Sequence, residues 1–377
     1  MVEWKKLTKV SYVQYGYPFD SSLFSEDNSY IPLIRIRDVK PGIPSTYYTG
    51  DYSSDYIIQR GDILVGMDGE FNLAKWQSRD GLLNQRVLKL SGKDGTCISG
   101  YLYHYMGPVF KRIEKQTAGG SVKHLSAKVI NNLVIPIPSL SEQNCIVGIL
   151  DTFTDSIENL KQQIAQRRKQ YEFYRDHLLD LEGKPTEDIK AIGDYCMMIK
   201  GNGVQKTDFV ENGIGCIHYG QIYTHYGSFT YSTNKFVTKE VFVKAKKASK
   251  GDLILTDTSE NVEDICKTVA YLGEDDIAVS NHALIIKHEQ NPKFLSYSTL
   301  TKSFFNQKRK YAYGVKVTGI KPEHLARFLI YLPSIEEQSR IVSILDTFEA
   351  SISNLEAQLA QRQKQYEYYR NKLLTFE

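Results

Sequence analysis

Residues 138–182 read PSLSEQNCIVGILDTFTDSIENLKQQIAQRRKQYEFYRDHLLDLE, and residues 333–377 read PSIEEQSRIVSILDTFEASISNLEAQLAQRQKQYEYYRNKLLTFE. The two stretches align without a gap and share 28 of 45 residues. Similarity of this length at one fixed spacing indicates an internal duplication. The chain of 377 residues is therefore one unit copied twice, and each copy is a globular part followed by a repeated segment.

Each repeated segment is predicted to form one long coiled-coil helix. Apolar residues recur in steps of four and three, which is the spacing of a coiled-coil seam. A serine with a glutamate three residues later, at Ser139 and Ser334, is typical of a capping box and predicts where each helix begins. We expect the two helices to pack antiparallel, with pseudo-twofold symmetry and the globular domains at opposite ends. The predicted seam comprises Leu150, Phe153, Ile157, Leu160, Ile164, Arg167, Tyr171 and Tyr174 in the first copy, and Leu345, Phe348, Ile352, Leu355, Leu359, Arg362, Tyr366 and Tyr369 in the second.

Arginine occupies one seam position in each copy, at Arg167 and Arg362, where an apolar residue is expected. Two interpretations are open. The aliphatic stem packs while the guanidinium reaches solvent, or a buried polar layer fixes the register of the helices.

The globular parts are predicted to be strand-rich α+β domains. The sequence divides into a first domain (1–138), a central helix (139–184), a second domain (185–332) and a C-terminal helix (333–377). The stretch QRGDILVGMDGEFN from residue 59 resembles SKGDLILTDTSEN from residue 249, so the two domains keep traces of a common plan. Predicted strands include Ile31–Val39, Asp62–Val65 and Asp252–Leu255, and one amphipathic helix is expected per domain, near Tyr101–Ile113 and Phe294–Phe304.

Composition excludes several classes of protein. The sequence has no run of about 20 apolar residues and no secretory signal at its start, which predicts a cytoplasmic protein without a membrane contact. The five cysteines are widely spaced, and we expect buried, reduced thiols and no metal site. The net charge is +3, with mildly basic globular parts and mildly acidic helices. This charge is compatible with DNA binding but does not establish it.

The whole chain resembles the specificity subunit of Type I restriction-modification enzymes. The resemblance rests on PSLSEQ and PSIEEQ, on the repeated ILDTF, and on the repeated QRxKQYExYR, each following a variable domain. It implies two target recognition domains, each reading one half of a bipartite, asymmetric duplex DNA site. It also implies that the helices set the spacing between the halves and dock the modification subunits.

The resemblance further implies that this chain is not an enzyme and holds no cofactor. Its expected partners are double-stranded DNA, two adenine-N6 methyltransferase subunits and, in the restriction complex, endonuclease and translocase subunits. S-adenosylmethionine, ATP and Mg are expected on those partners. The stretch Asn291–Phe294 resembles a methyltransferase Asn-Pro-Pro-Tyr loop, but a lysine replaces the second proline and no glycine-rich cofactor loop precedes it.

Candidate DNA contacts are residues whose side chains face base edges bidentately or bind phosphates near glycines. In the first domain they are Arg35 and Arg37, placed on one face of a predicted strand, together with Lys75, Gln77, Arg79, Asn84, Gln85, Arg86, Ser121, Lys123 and His124. In the second domain they are Thr256, Thr258, Ser259, Asn261, Asn281, His282, Lys308, Arg309, Lys310, Tyr313 and Lys316.

Two alternatives remain open on the sequence. A stand-alone methyltransferase or nuclease is disfavoured because cofactor and metal motifs are missing. The second alternative is a coiled-coil protein–protein scaffold without sequence-specific DNA binding, in which the helices pair between chains.

Overall fold

The computed structural model describes residues 2–116, 123–314 and 317–376. The chain forms two compact units: unit 1 is Met1–Lys161 with Ala357–Glu377, and unit 2 is Gln162–Glu356. Each unit therefore joins one globular domain to a part of each long helix. The four segments predicted above are consecutive stretches of sequence, whereas the two units group residues that are in contact in space, so their boundaries differ.

In the described part of unit 1, short strands and four α-helices precede the first long helix. The strands are β1 (Glu3–Lys6), β2 (Ser11–Tyr15), β3 (Phe24–Ser25), β4 (Ile31–Ile34), β5 (Tyr47–Tyr48), β6 (Ile57–Ile58), β7 (Ile63–Gly66), β8 (Leu73–Lys75), β9 (Gly81–Leu83), β10 (Val87–Gly92) and β11 (Val134–Ile137). The helices are α1 (Leu7–Val10), α2 (Ile36–Val39), α3 (Ser99–Gln116) and α4 (Ala127–Asn132), and the long helix is α5 (Leu140–Leu179).

The strands of unit 1 form three sheets, in the orders β2-β10-β7-β8, β3-β5-β4-β9-β6 and β1-β11. Strand β7 pairs with β10 and β8 and is buried along its whole length, because Ile63 and Val65 pack in the main core while Leu64 packs in a second cluster. Its continuous apolar run is typical of a strand covered on both faces. The main core joins Tyr101 and Phe110 of α3 to Leu150 of α5 and to the partly buried Tyr366, so within this unit the domain packs directly on the long helices.

Unit 2 has strands β12 (Ile189–Ala191), β13 (Met197–Lys200), β14 (Phe209–Val210), β15 (Ile214–Ile217), β16 (Phe229–Thr230), β17 (Lys235–Val237), β18 (Lys246–Ala248), β19 (Leu253–Thr256), β20 (Thr258–Ser259), β21 (Thr268–Tyr271), β22 (Ile277–Val279), β23 (Ala283–Lys287), β24 (Thr318–Gly319) and β25 (Leu329–Tyr331). Its helices are α6 (Tyr219–Thr224), α7 (Lys239–Lys244), α8 (Pro292–Ser298), α9 (Lys302–Tyr311), α10 (Pro322–Leu325) and α11 (Ile335–Leu374).

The two domains share one plan although their sequences have diverged. The unit 2 orders β13-β23-β19-β21-β16, β14-β17-β15-β22-β18 and β12-β25 correspond to the three sheets of unit 1, with β16 as an additional edge strand. Unit 2 also has the strand pair β20-β24. The parallel pair β4–β9 has its counterpart in the parallel pair β15–β22. The tandem repeat predicted from the helices therefore extends through the globular domains, and the α+β prediction is confirmed.

The long helices are 40 residues each, and within unit 2 they run antiparallel. Three contacts show the direction: Arg168 with Glu356, Tyr171 with Glu349, and Tyr174 with Phe348. Residue numbers increase along α5 while those of the contacted α11 residues decrease. The predicted capping box is present at α5, where Ser139 Oγ accepts from the Glu142 amide and Glu142 accepts from the Ser139 amide. At α11 Ser334 Oγ accepts from the Glu337 amide at 3.4 Å, while the Glu337 carboxylate binds Arg340.

Three local predictions were wrong. The predicted strand Ile31–Val39 ends at Ile34 and continues as α2, because the Asp38 carboxylate accepts from the Arg35 amide and begins a helical turn. The single helix predicted near Phe294–Phe304 is two helices, because Thr301 caps a new helix at α9. Cys145 is exposed and Cys196 half-buried, since Cys145 lies on the open face of α5, whereas Cys97, Cys216 and Cys266 are buried as expected.

Candidate nucleic-acid interface

The turn between β9 and β10 presents two polar side chains to solvent in unit 1. Gln85 and Arg86 are exposed, whereas Asn84 is buried and its Oδ1 accepts from the Gln85 amide. The Tyr17 carbonyl also accepts from the Gln85 amide, at 2.9 Å. The Gln85 amide therefore holds this turn through one side-chain and one backbone acceptor, and the exposed Gln and Arg are residue types that read bases in a groove.

The loop that follows β7 lies beside this turn. Asp68 accepts from the Nδ1 of His124 at 2.5 Å and lies 3.4 Å from a guanidinium nitrogen of Arg86. The Met67 amide donates to the Arg86 carbonyl. The structure thus brings Arg86 and His124, two of the predicted residues, together around one carboxylate, with Gln85 next to Arg86 in the same turn.

Unit 2 has the matching loop after β19, and here it lines an open cleft of about 630 Å³. The Asp257 amide donates to the His282 carbonyl, as the Met67 amide does to Arg86 in unit 1. His282 itself has a φ of 63°, in the left-handed region. Among the residues that line the cleft are four predicted contacts: Thr258, Ser259, Asn261 and His282.

Sequence reasoning missed other residues of this cleft. They are Lys206, Tyr219, Gly220, Tyr223, Thr224, Glu260, Asp264 and Val317. Tyr223 donates its hydroxyl to the Thr258 carbonyl at 2.5 Å, so it supports the loop as well as lining the cleft. Glu260 lies in the stretch SKGDLILTDTSEN that resembles the first domain, whereas Lys206 has no similar counterpart there. Helix α6 carries Tyr219 and Tyr223 to the cleft by packing against β19.

Several predicted contacts are occupied inside the protein. Lys308 is 7% exposed and donates to the carbonyls of Glu263 and Ile265, so the structure contradicts it as a surface contact. Thr256 is fully buried in β19. Lys75 forms an ion pair with Asp151 at 3.0 Å. Within the run Lys308–Lys310, the sequence alone does not show which side chain faces the core of the domain and which faces solvent.

The remaining predicted residues lie apart from the two loops or are part of local structure. Arg79 donates to the carbonyls of Asn28 and Tyr30. Arg37 lies on α2 rather than on a strand, and its guanidinium donates to the hydroxyl groups of Ser45 and Thr46. Exposed positions with no contradiction are Gln77, Asn281, Arg309, Lys310 and Tyr313, while Arg35 and Lys123 are half-buried. Ser121 and Lys316 lie outside the described residues.

A polar network joins the first domain to both long helices inside unit 1. The side chain of His104 on α3 is fully buried, with Nε2 2.9 Å from Asp151 and Nδ1 3.0 Å from the Tyr366 hydroxyl. Burial lowers the pKa of His104, although its hydrogen bond with Asp151 opposes the shift. Lys75 completes the network at Asp151.

Unit 2 uses different residues at the equivalent place. Asp346, the repeat of Asp151, accepts from Lys293 at 2.8 Å and from the Tyr297 hydroxyl at 2.7 Å. Tyr297 and Tyr171 also approach the carboxylate of Glu349. Burial raises the pKa of Glu349 above its ordinary value. The helices are nearly identical, yet each domain binds them through its own side chains.

These two networks predict opposite pH responses. A histidine whose pKa is lowered by folding contributes stability above its ordinary value of 6.5, and this is lost as the pH falls through the folded pKa. A carboxyl whose pKa is raised by folding contributes stability below its ordinary value of 4.5, and this is lost as the pH rises through the folded pKa.

We therefore expect the stability difference between the native chain and His104→Gln to shrink below pH 6.5, and that for Glu349→Gln to shrink above pH 4.5. Thermal unfolding between pH 4 and 8, at about one-unit steps, measures both differences. Parallel curves for all three proteins would contradict the buried placement of the two groups.

The seam arginines are half-buried, which matches neither of the two interpretations in full. The guanidinium of Arg167 lies 5.8 Å from the centre of the Phe348 ring in unit 2, and that of Arg362 lies 5.6 Å from the Phe153 ring in unit 1. Both guanidinium groups therefore lie against an aromatic ring of the other helix. A cation over a ring at this distance is attractive. The same two rings also stack on seam tyrosines, Phe153 on Tyr369 and Phe348 on Tyr174.

The weak catalytic motif has a structural explanation. The Asn291 side chain accepts from the amides of Lys293 and Phe294 and caps α8, and Pro292 occupies the first turn. In the part of the chain that the structure describes, no three His, Cys, Asp or Glu side chains are grouped as metal ligands. Among the same residues, no helix has the length and apolar character needed to cross a membrane.

Two domains of one plan, each with a polar surface loop and each joined to a repeated long helix, define a duplicated recognition protein. The family model for the Type I restriction modification DNA specificity domain matches residues 1–167 and 188–363. The chain belongs to this family of specificity subunits, which recognise DNA sequence and are not themselves catalytic.

Individual relatives agree with this assignment. The chain is 27% identical to the Type I restriction enzyme EcoBI specificity subunit of Escherichia coli, over 94% of this chain and 81% of the relative. It is also 27% identical to a putative Type I specificity subunit of Haemophilus influenzae, over 100% of this chain and 96% of the relative. The crystal structure of the Type I system S subunit from M. genitalium matches 100% of this chain and 97% of its own, with 14% identity and a TM-score of 0.62, and shares the fold.

Proposed function

We propose that each domain reads one half of a bipartite, asymmetric duplex DNA site, and that the long helices set the gap and dock two adenine-N6 methyltransferase subunits. The observation that carries the proposal is the contrast between the two copies. The helices share 28 of 45 residues, whereas the loops that face solvent carry different side chains on the same backbone plan. A conserved spacer and two divergent readers are what a split site requires.

The difference between the exposed loops supports two different half-sites. At equivalent positions unit 1 presents Gln85 and Arg86, and unit 2 presents Asn281 and His282. Arginine pairs bidentately with guanine and asparagine with adenine in the major groove. The unit 2 cleft adds the carboxylates Glu260 and Asp264, which can accept from the amino group of cytosine.

The small net charge of +3 fits a protein that shares its phosphate contacts with partners. Neutralised phosphates supply most non-specific affinity for DNA. The methyltransferase subunits, and endonuclease or translocase subunits where present, would supply the rest. S-adenosylmethionine, ATP and Mg would be bound by those subunits.

A repeated aromatic surface on the long helices supports two docking sites. Phe173 is 65% exposed on α5, and Tyr368, its counterpart at the same repeat position, is 61% exposed on α11. Each forms an edge contact with the next residue, Tyr174 or Tyr369, at 5.5 and 5.3 Å. Exposed aromatics of this kind act as anchors in protein interfaces. Their duplication fits two copies of one partner.

Phe173→Asp and Tyr368→Asp are each expected to remove one methyltransferase subunit from the complex. Loss of an aromatic anchor weakens binding by about thirtyfold or more, because it costs about 2 kcal/mol or more. Native mass spectrometry of the reconstituted complex measures the subunit ratio. Tyr231→Asp, at a 64% exposed tyrosine of the second domain, is the matched control and should keep both subunits. Two retained subunits in either helix variant would contradict this assignment.

Reconstitution tests the proposed function as a whole. The purified chain alone should transfer no methyl group, and the chain with its methyltransferase should methylate adenines only in duplexes that carry both half-sites. Binding should weaken steeply with salt, as phosphate contacts require. If duplexes with one half-site were methylated as fast as duplexes with both, or if the complex bound no DNA, the result would support a protein–protein scaffold without sequence-specific DNA binding instead.

A further inference from the structure

The surface loop after the central strand lies against the domain helix in both units. In unit 1 the loop follows β7, and in unit 2 it follows β19; we call these loop 1 (residues 67–72) and loop 2 (residues 257–267). Loop 1 carries Asp68, which holds Arg86 and His124. Loop 2 forms one wall of the unit 2 cleft through Thr258, Asn261 and neighbouring residues.

Loop 2 is held by a buried ammonium group. Lys308 of α9 donates to the carbonyls of Glu263, at 2.6 Å, and Ile265, at 3.0 Å. Burial lowers the pKa of Lys308, with Cys266, Asp264 and Glu263 opposing the shift. Burying a lysine is costly unless its hydrogen bonds are satisfied. The two carbonyl groups satisfy the buried ammonium group, and in doing so they fix the backbone of loop 2 to α9.

The backbone of loop 2 needs this support. Cys266 has a φ of 62°, a conformation that few residues other than glycine adopt. Its neighbours are joined by short-range bonds, such as those between Asn261 and Asp264 at 2.7 and 2.8 Å. These local bonds fix the shape of the tip, whereas Lys308 ties the loop to the domain core.

Loop 1 is held from the equivalent helix by a group of the opposite charge. The Glu114 carboxylate of α3 accepts from the Phe71 amide at 3.0 Å, and its side chain is 14% exposed. Lys111 and Lys123 lie 3.3 and 3.7 Å from the same carboxylate. In unit 1 the Glu114 carboxylate thus accepts from a backbone N–H of loop 1. In unit 2 the Lys308 ammonium donates to backbone carbonyls of loop 2, which is the equivalent loop.

We propose that Glu114 and Lys308 are positioning residues that set the sequence specificity of loop 1 and loop 2. This inference rests on the proposed function. Lys308 is buried, and the mostly buried Glu114 carboxylate is occupied by the Phe71 amide and two lysines, yet each decides where the exposed residues of its own loop lie. Because a bidentate base contact tolerates little displacement, a loop freed from its anchor should discriminate less between bases.

The test uses the full chain in complex with its methyltransferase subunits. Glu114→Met and Lys308→Met remove the anchoring groups and keep the length of the side chain. For each variant, methylation rates are compared between the cognate duplex and duplexes with a single base change in one half-site. We expect Glu114→Met to lower discrimination about tenfold in one half only, and Lys308→Met to do so in the other half only.

Three further variants sharpen the result. Glu114→Gln keeps an oxygen that can accept from the Phe71 amide and should restore discrimination. Lys308→Arg keeps a buried donor and should retain more discrimination than Lys308→Met. Lys302→Met removes an exposed charge from the same helix and should change neither half.

An equal loss in both halves, unchanged discrimination, or failure of both methionine variants to assemble would overturn the inference, because each would make the residues merely structural or irrelevant. If the unaltered complex showed no bipartite site at all, the proposed function would fail first, and that outcome is recognised before any variant is made.

Discussion

Gly16→Ala is expected to abolish recognition of one half-site, and Gly201→Ala to abolish recognition of the other. A Cβ at Gly16 would lie 2.0 Å from the carbonyl oxygen of Asn84, and one at Gly201 would lie 2.2 Å from that of Ser280. Non-bonded atoms sit about 3.5 to 4.0 Å apart. The obstructing atoms are backbone, so the turn itself must move.

Those two turns carry the exposed side chains that we assign to DNA contact. Gln85 and Arg86 follow Asn84, and Asn281 and His282 follow Ser280. Displacing several base contacts at about 1 to 3 kcal/mol each should lower methylation at the intact site by about a hundredfold or more. The overpacking should also cost about 1 to 3 kcal/mol of stability.

Methylation rates on duplexes with changes in either half measure the effect. Each variant should become insensitive to its own half and stay sensitive to the other. Gly148→Ala, on α5, is the matched control and should leave methylation unchanged, because the added Cβ would meet no atom within 4 Å beyond its chain neighbours and the backbone of its own helix. If both turn variants still discriminated between the cognate duplex and duplexes with base changes in either half, the assignment of these turns to the DNA interface would be wrong.

The second large effect is expected from lengthening both helices. Seven residues inserted after Lys161 and after Glu356 would preserve the heptad seam, because both points occupy the same repeat position and both lie where the chain passes between units 1 and 2. One heptad adds about 10 Å at about 1.5 Å per residue. This corresponds to about three base pairs at about 34 Å per ten-base-pair turn.

We expect methylation at the original spacing to fall below detection and to reappear, with both half-sites unchanged, at a longer gap. Sequencing of methylated adenines in a random-spacer library measures the shift. An insertion in one helix only is the control, since it breaks the pairing of the helices and should abolish assembly. An unchanged gap in the double insertion would contradict the role of the helices as the spacer.

The sequence predicted the helices and the repeat because their signals are periodic and duplicated. The capping box at Ser139 and the long seam follow from patterns that local physics imposes, whereas the antiparallel pairing is a tertiary contact that the heptad pattern alone does not decide. The common plan of the domains was visible only in short stretches such as QRGDILVGMDGEFN. The matching sheet orders depend on pairings between distant strands, which leave little periodic signal.

The candidate site was predicted less well, because it depends on tertiary contacts. The residue types at Arg86, His124 and His282 suggested DNA contact, and the structure gathers them at the two loops. Lys308 looked like a surface cation in a basic run, yet helical geometry turns it inward while Arg309 and Lys310 stay exposed. The strand assigned to Arg35 and Arg37 failed because the Asp38 cap outweighed the alternation of apolar residues.

The central claim is that two different readers are held at a fixed distance. A genome-wide map of methylated adenines in cells that carry this chain with its methyltransferase subunit tests that claim most directly. The account predicts a motif of two unlike half-sites separated by an unspecified gap of constant length. A continuous motif, a palindromic one, or a gap of variable length would contradict it.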